Sequence, residues 1–401
     1  MELRSSIDSG RKGAFTLQFN NLQPGQKVSY RLQSLDFAIG SYVYRSRFEQ
    51  AQRGDADGRQ YLEKLEKYFN AVTIPVFWHL TEPQQGRFDY DPYFAMCRWA
   101  RDRGKHMLGH AVFYGWDGLD DCDPADAQLD FIQGWVRAMD RAGLEQAMQG
   151  QVRNCLQAFG PFMSHFVLNN EVLGKYGTDP QDWFSRKLGF TNLAPYFRWA
   201  HQTAPASRFY LNENSILAGA NTPKYAELID SLLQAGAPVG GIGIQGHFFG
   251  DRVAPANEMW EKLELLGRFG LPIRVTEFGV KSTDSDLHAQ GMRRLLEVCF
   301  AHPRVVGVHF WNFWEPDMWP RTQAVREAPL WNTNWSPRPA GEAFIDLVTR
   351  QWTTEGDGVV DERGTLSFAG FFGTYTLQSG GQSWTVRLNA EAPSATVGLR
   401  T

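Results

Sequence analysis

Short apolar runs recur along the chain with amphipathic segments between them. Eight such runs lie near residues 36–43, 69–75, 105–113, 165–171, 208–213, 241–247, 272–277 and 305–311. Most are continuously apolar rather than alternating, the pattern of strands covered on both faces. The intervening segments have a helical period, as at Tyr61 to Tyr68, Tyr93 to Arg103 and Met292 to Ala301. Eight strands alternating with helices predict a (β/α)8 barrel of the TIM type over about 36–350. A doubly wound sheet is the competing α/β arrangement. It calls for a Gly-rich phosphate turn after the first strand, and Gly40-Ser41-Tyr42-Val43 does not supply one.

The two ends are patterned differently. Phe15 to Phe19 and Val28 to Leu32 alternate with period two around Pro24-Gly25-Gln26, and Thr374 to Leu377 and Trp384 to Leu388 do so around Ser379-Gly380-Gly381. Such segments read as half-exposed antiparallel strands. Residues 1–35 and 356–401 are therefore expected to combine into one small β module beside the barrel. Its role is either structural or sugar-binding.

In such a barrel the chemistry gathers at the carboxyl ends of the strands. Reading off those ends gives His110, Asn170-Glu171, Asn212-Glu213-Asn214, Gln245-Gly246-His247, Glu277 and Trp311-Asn312. Any one of these is unremarkable, since a strand-end Asn usually satisfies a loop. Their concentration on one face is not. Two carboxylates at one mouth are the minimal equipment for cleaving a glycosidic bond: one protonated to serve the leaving oxygen, the other ionised to attack. A histidine such as His247 beside the second can hold its orientation, and an amide such as Asn170 beside the first can bond a sugar hydroxyl.

Composition narrows the alternatives. The net charge is −4, which does not resemble a nucleic-acid footprint. No stretch of about 18 apolar residues is present, so no membrane span is expected. No signal peptide is visible, so the expected location is outside the cell or in the periplasm only if a leader was trimmed. The chain carries 14 Trp, 13 Tyr and 28 Phe, enough for both a large core and sugar-stacking surfaces. Cys97, Cys122, Cys155 and Cys299 are scattered without metal-type spacing, and buried free thiols are expected. His110, His247 and the acids offer metal-ligating types, but neither H-x-H nor H-E-x-x-H occurs. No cofactor or metal is expected, and the chain is expected to be a monomer.

The ordered set of motifs resembles glycoside hydrolase family 10, the endo-β-1,4-xylanase family. The matching pieces are Phe69 to Thr73 with Thr81 to Phe88, Gly109-His110, Asn170-Glu171, Leu211 to Asn214, Gly243 to His247, Thr276-Glu277, Phe310-Trp311 with Trp319, and Pro337 to Ala340. Arg11-Lys12-Gly13 and Gly370 to Tyr375 resemble β segments that flank the barrel in some members. The resemblance implies a retaining O-glycosyl hydrolase acting on xylan or another plant cell-wall glycan, with Glu171 as acid/base and Glu277 as nucleophile. It further implies that His110, Asn170, Asn212, Gln245, His247, Trp311 and Trp319 line the sugar subsite.

The chain also departs from that pattern. After the second strand the family's Asn and Lys, which grip the distal sugars, are missing from Ile74-Pro75-Val76-Phe77-Trp78-His79. The family's Trp-His after the third strand becomes Tyr114-Gly115-Trp116, and its Trp-Asp before the acid becomes Phe166-Val167. Weak or altered action on plain linear xylan is the corresponding expectation. A decorated glycan or aryl glycoside as substrate, and a non-catalytic sugar-binding barrel, are the alternatives.

Overall fold

The computed structural model describes residues 2–116, 131–173, 182–249, 253–282, 284–317 and 329–398. Eight strands form a closed parallel barrel: Ala38–Tyr42, Ala71–Pro75, His106–His110, His165–Asn170, Arg208–Glu213, Gly241–Phe249, Ile273–Lys281 and Val305–Phe310. Each pairs with its sequence neighbour, and the eighth closes on the first through Gly307 opposite Ala38. The helical segments read from the sequence fall within Ala56–Tyr68, Asp91–Asp102 and Ser285–Ala301, except that Arg103 caps the second of these helices rather than belonging to it.

The third strand departs from expectation. It stops at His110, and the chain re-enters the sheet at Phe113–Tyr114, where Tyr114 pairs with Asn170. Contact between the third and fourth strands is made at Gly109 opposite Phe166. Glycine is required there, because a Cβ would lie 2.6 Å from the Phe166 ring.

The barrel interior carries a buried polar layer. His309 lies 2.9 Å from the Thr73 hydroxyl through Nδ1 and 3.0 Å from Arg274 Nη1 through Nε2. An arginine only donates, so Nε2 accepts and Nδ1 carries the proton toward Thr73. Burial, with Arg274 beside it, holds His309 neutral, well below the ordinary histidine range. A Cβ on Gly40 would lie 2.4 Å from His309 Nδ1, so the first strand is glycine where the imidazole fits.

The termini build two antiparallel-paired sheets. One orders Thr365–Phe371, Lys12–Phe19 and Ser394–Val397, the last running parallel to the middle strand. The other orders Glu355–Val359, Lys27–Leu35, Gly373–Ser379 and Gln382–Leu388. Their inner faces meet: Tyr30 stacks on Phe368 at 4.1 Å, and Phe15 meets Tyr375 edge-on at 5.9 Å. A helix over Leu3–Arg11, absent from the sequence reading, precedes them. Its last residue links module to barrel. Arg11 donates to the carbonyls of Phe300, His302 and Val305 at 2.6–2.8 Å and lies over the rings of Phe37 and Phe300. Burial lowers this guanidinium to about 10. Cys97, Cys155 and Cys299 are buried free thiols, while Cys122 lies outside the described residues. No helix among the described residues is long and apolar enough to cross a membrane.

Candidate active site

The carboxyl ends of the fourth to seventh strands bring the two glutamates together. Glu277 lies in the seventh strand beside a bulge: Val275 pairs with Ile244 and Glu277 with Gln245, leaving Thr276 unmatched. A bulge re-aims the side chains around it. Here it lets consecutive residues serve one network: Thr276 donates its hydroxyl to Asn212 Oδ1, and Glu277 receives Asn212 Nδ2 at 3.1 Å. The same Nδ2 reaches Asn170 Oδ1 at 2.6 Å. A second register shift, between Val167 and Asn169, sits in the fourth strand just before Glu171.

Glu171 is the first residue beyond that strand. It holds φ +52°, a left-handed conformation uncommon for a side chain other than glycine, asparagine or aspartate. Its N–H bonds to the carbonyl of Asn212 at 2.9 Å. Glu213 fixes the next residues, since its Oε2 accepts the N–H groups of Val172 and Leu173 at 3.0 and 2.9 Å and its Oε1 accepts that of Asn214 at 2.8 Å. Burial pushes the Glu213 carboxyl up to about 8, against the pull of those donors. Strain of this kind persists where surrounding contacts over-determine it.

Gln245 joins the two carboxylates. Its Nε2 donates to Glu171 Oε1 at 2.5 Å and to Glu277 Oε1 at 3.0 Å. The two accepting oxygens are therefore at most 5.5 Å apart, the sum of the two distances. Carboxyl groups about 5–5.5 Å apart suit direct attack by one of them, whereas insertion of a water needs about 6.5–9.5 Å.

The environments of the pair differ. Glu277 is buried, and desolvation raises its carboxyl above the usual range. His247 and Asn212 oppose that rise, and the charge of Glu171 adds to it. His247 Nε2 lies 3.3 Å from Glu277 Oε2. Glu171 is half-buried, and its Oε2 accepts the Tyr114 hydroxyl at 2.9 Å. His110 Nε2 stands 3.4 Å from Glu277 Oε1 without hydrogen-bond geometry. Burial lowers this imidazole to about 3, so it is neutral near pH 7. Trp311 packs against His110 at 5.3 Å and Tyr42 at 4.6 Å, forming an aromatic wall beside the acids.

The structure thus gathers Glu171, Glu277, His110, Asn170, Asn212, Gln245, His247 and Trp311 at one mouth. Trp319 lies outside the described residues. Sequence reading missed three participants. Tyr114 stood out only as a departure from the family pattern. Thr276 was read only as the neighbour of Glu277. Glu213 was read as one strand-end polar residue among several, with no sign that it holds the loop after Glu171. Among the described residues, no group of three or more His, Cys, Asp or Glu is arranged to hold a metal ion.

The family model for Glycosyl hydrolase family 10 matches residues 32–347. The chain is 30% identical over 388 residues to Endo-1,4-beta-xylanase 2 of Arabidopsis thaliana, covering 94% of this chain and 33% of the relative. It is 30% identical over 318 residues to Anti-sigma-I factor RsgI6 of Acetivibrio thermocellus, covering 78% and 38%. The crystal structure of xylanase 10B from Thermotoga petrophila RKU-1 in complex with xylobiose superposes with a TM-score of 0.69 at 20% identity, covering 79% of this chain and 95% of that one. That likeness shows the fold. The chain spans about a third to a half of the length of the first curated relatives it matches.

Proposed function

The chain belongs to glycosyl hydrolase family 10, and on that footing we propose that it is a retaining β-glycosidase cleaving β-1,4-xylosidic bonds within xylan or xylo-oligosaccharides. The observation that carries this reading is the single amide nitrogen of Gln245, within hydrogen-bond distance of both Glu171 and Glu277. That bridge keeps the two accepting oxygens within 5.5 Å of each other, which supports double displacement over insertion of a water between the carboxyls.

In the first step Glu277 attacks the anomeric carbon while Glu171 donates its proton to the glycosidic oxygen. The bond from anomeric carbon to leaving oxygen breaks, and the shortened chain departs with the proton. In the second step Glu171, now a carboxylate, takes a proton from water. The water oxygen bonds to the anomeric carbon, and Glu277 is released as its carboxylate. Asn212, Gln245 and His247 place N–H groups or a ring nitrogen on Glu277, favouring its charged form both before attack and on release. Neutral His110, beside Trp311 and Glu277, adds no charge of its own next to the nucleophile.

The test is hydrolysis of xylo-oligosaccharides with the product anomer followed by NMR. Initial release of the β-anomer is expected, and Glu171→Ala and Glu277→Gln should each cripple turnover while leaving the fold intact. Initial release of the α-anomer would rule out Glu277 as nucleophile.

One observation favours a narrower or different glycan. Where the family carries its Asn and Lys, Phe77 is buried against His110 and Tyr114, at ring distances of 5.5 and 6.3 Å. Apolar surface replaces amide and ammonium donors, so the distal glycone side loses polar grip. Cleavage patterns on xylotriose to xylohexaose, against decorated oligosaccharides, separate the readings. A chain that binds such glycans but hydrolyses none would be a sugar-binding barrel.

A further inference from the structure

The third strand ends as Gly109-His110 and, after a break, resumes with Phe113-Tyr114 beside Asn169-Asn170. That re-entry places Tyr114 next to the residue preceding Glu171, and its hydroxyl 2.9 Å from Glu171 Oε2. The other oxygen of Glu171 is taken by Gln245. The ring is held from the side by Phe131 at 4.6 Å and Phe77 at 6.3 Å. The phenol is thus fixed on the carboxylate that exchanges a proton twice in each turnover.

We infer that Tyr114 is a positioning residue for the proton-exchanging carboxylate: its hydroxyl holds Glu171 in place and switches between donor and acceptor as Glu171 loses and regains its proton. This rests on the reading of Glu171 as the acid/base. A phenol can donate or accept, unlike the amide nitrogen of Gln245, which only donates. When Glu171 is ionised, the Tyr114 O–H donates to Oε2, a charge-assisted bond. When Glu171 is protonated, the same hydroxyl rotates to accept, a weaker neutral bond. No covalent bond forms or breaks at the tyrosine. Because the stronger bond belongs to the ionised form, Tyr114 favours that form.

Several other groups act on the site. The charge of Glu171 raises the carboxyls of Glu277 on the seventh strand and Glu213 on the fifth. His247 on the sixth strand and His110 on the third face Glu277. Tyr114→Phe leaves all of these in place and removes only the hydroxyl.

The experiment measures the pH dependence of kcat/KM for wild type and Tyr114→Phe on a natural xylo-oligosaccharide, whose leaving group needs a proton. A dinitrophenyl β-xyloside, whose leaving group needs none, is measured alongside. The alkaline limb on the oligosaccharide is expected to move up by about one pH unit in the variant, the size a hydrogen bond to a charged acceptor gives. Retained turnover of the aryl xyloside shows that fold and nucleophile survive. An alkaline limb that stays put or moves down, even with a raised KM, overturns the role of Tyr114. Loss of the aryl activity together with loss of a cooperative melt moves the test to Tyr114→His, which keeps a hydrogen-bonding ring and should leave the limb nearer the wild-type position than the about one pH unit expected on losing the bond; a limb displaced by that full amount also overturns it. If wild type turns over neither substrate, the reading of Glu171 falls as well.

Discussion

Replacing Asn212 with alanine removes three contacts from one buried position. Its Nδ2 donates to Glu277 at 3.1 Å and to Asn170 at 2.6 Å, and its Oδ1 accepts the Thr276 hydroxyl. A hydrogen bond to a charged group contributes about 1.5–3 kcal/mol. Every 1.36 kcal/mol is tenfold in rate, so losing the bond to Glu277 should lower kcat/KM by roughly 10- to 150-fold. The same loss changes the pH profile. Burial already raises the Glu277 carboxyl, and Asn212 is one of the groups opposing that rise. Without it the carboxylate ionises at higher pH, so the acid limb of kcat/KM moves up. Loss of the Asn170 and Thr276 contacts costs stability besides, while the Thr276 hydroxyl keeps the Ile244 carbonyl at 3.3 Å. Thr276→Val isolates part of that cost, because it removes a hydroxyl bonded to Asn212 without touching the bond to Glu277. The assay is kcat/KM against pH on an aryl β-xyloside, alongside thermal unfolding of both variants. A folded Asn212→Ala protein with kcat/KM within about twofold of wild type and an unmoved acid limb would refute the reasoning, because a bond of about 1.5 kcal/mol or more would then be missing.

Two further outcomes follow from groups outside the reacting pair. The Glu213 carboxyl is raised from 4.5 to about 8 in the fold, so wild-type stability should fall as pH rises between those values; Glu213→Gln should flatten this slope in urea unfolding, and an unchanged slope would count against the assignment. Arg11→Met removes a donor from the carbonyls of Phe300, His302 and Val305, of which His302 keeps the Val305 N–H, and should cost about 2–5 kcal/mol in denaturant unfolding while kcat on an aryl xyloside holds in the folded state.

The barrel was legible because it is repetitive. Each strand is covered on both faces, and that burial demands a continuous apolar run that any reader of the chain can count. The ends of those runs pointed to Glu171, Glu277, His110, Asn170, Asn212, Gln245 and His247, since polar residues at the close of a buried strand stand out from it. The alternating segments at both termini signalled antiparallel strands for the same reason. Leu3–Arg11 did not stand out as a helix, because a short, mostly polar segment with one buried side chain, Ile7, leaves little apolar pattern to read.

Local pattern determined which residues form strands and which carry chemistry, because burial and side-chain type are written position by position. Only the tertiary structure decided their relation. The bulge at Thr276, the break after His110 and the left-handed turn at Glu171 set which way side chains point, and these follow from pairing between strands tens of residues apart. That pairing puts one amide of Gln245 between two glutamates and a tyrosine on the acid, contacts no sequence spacing encodes.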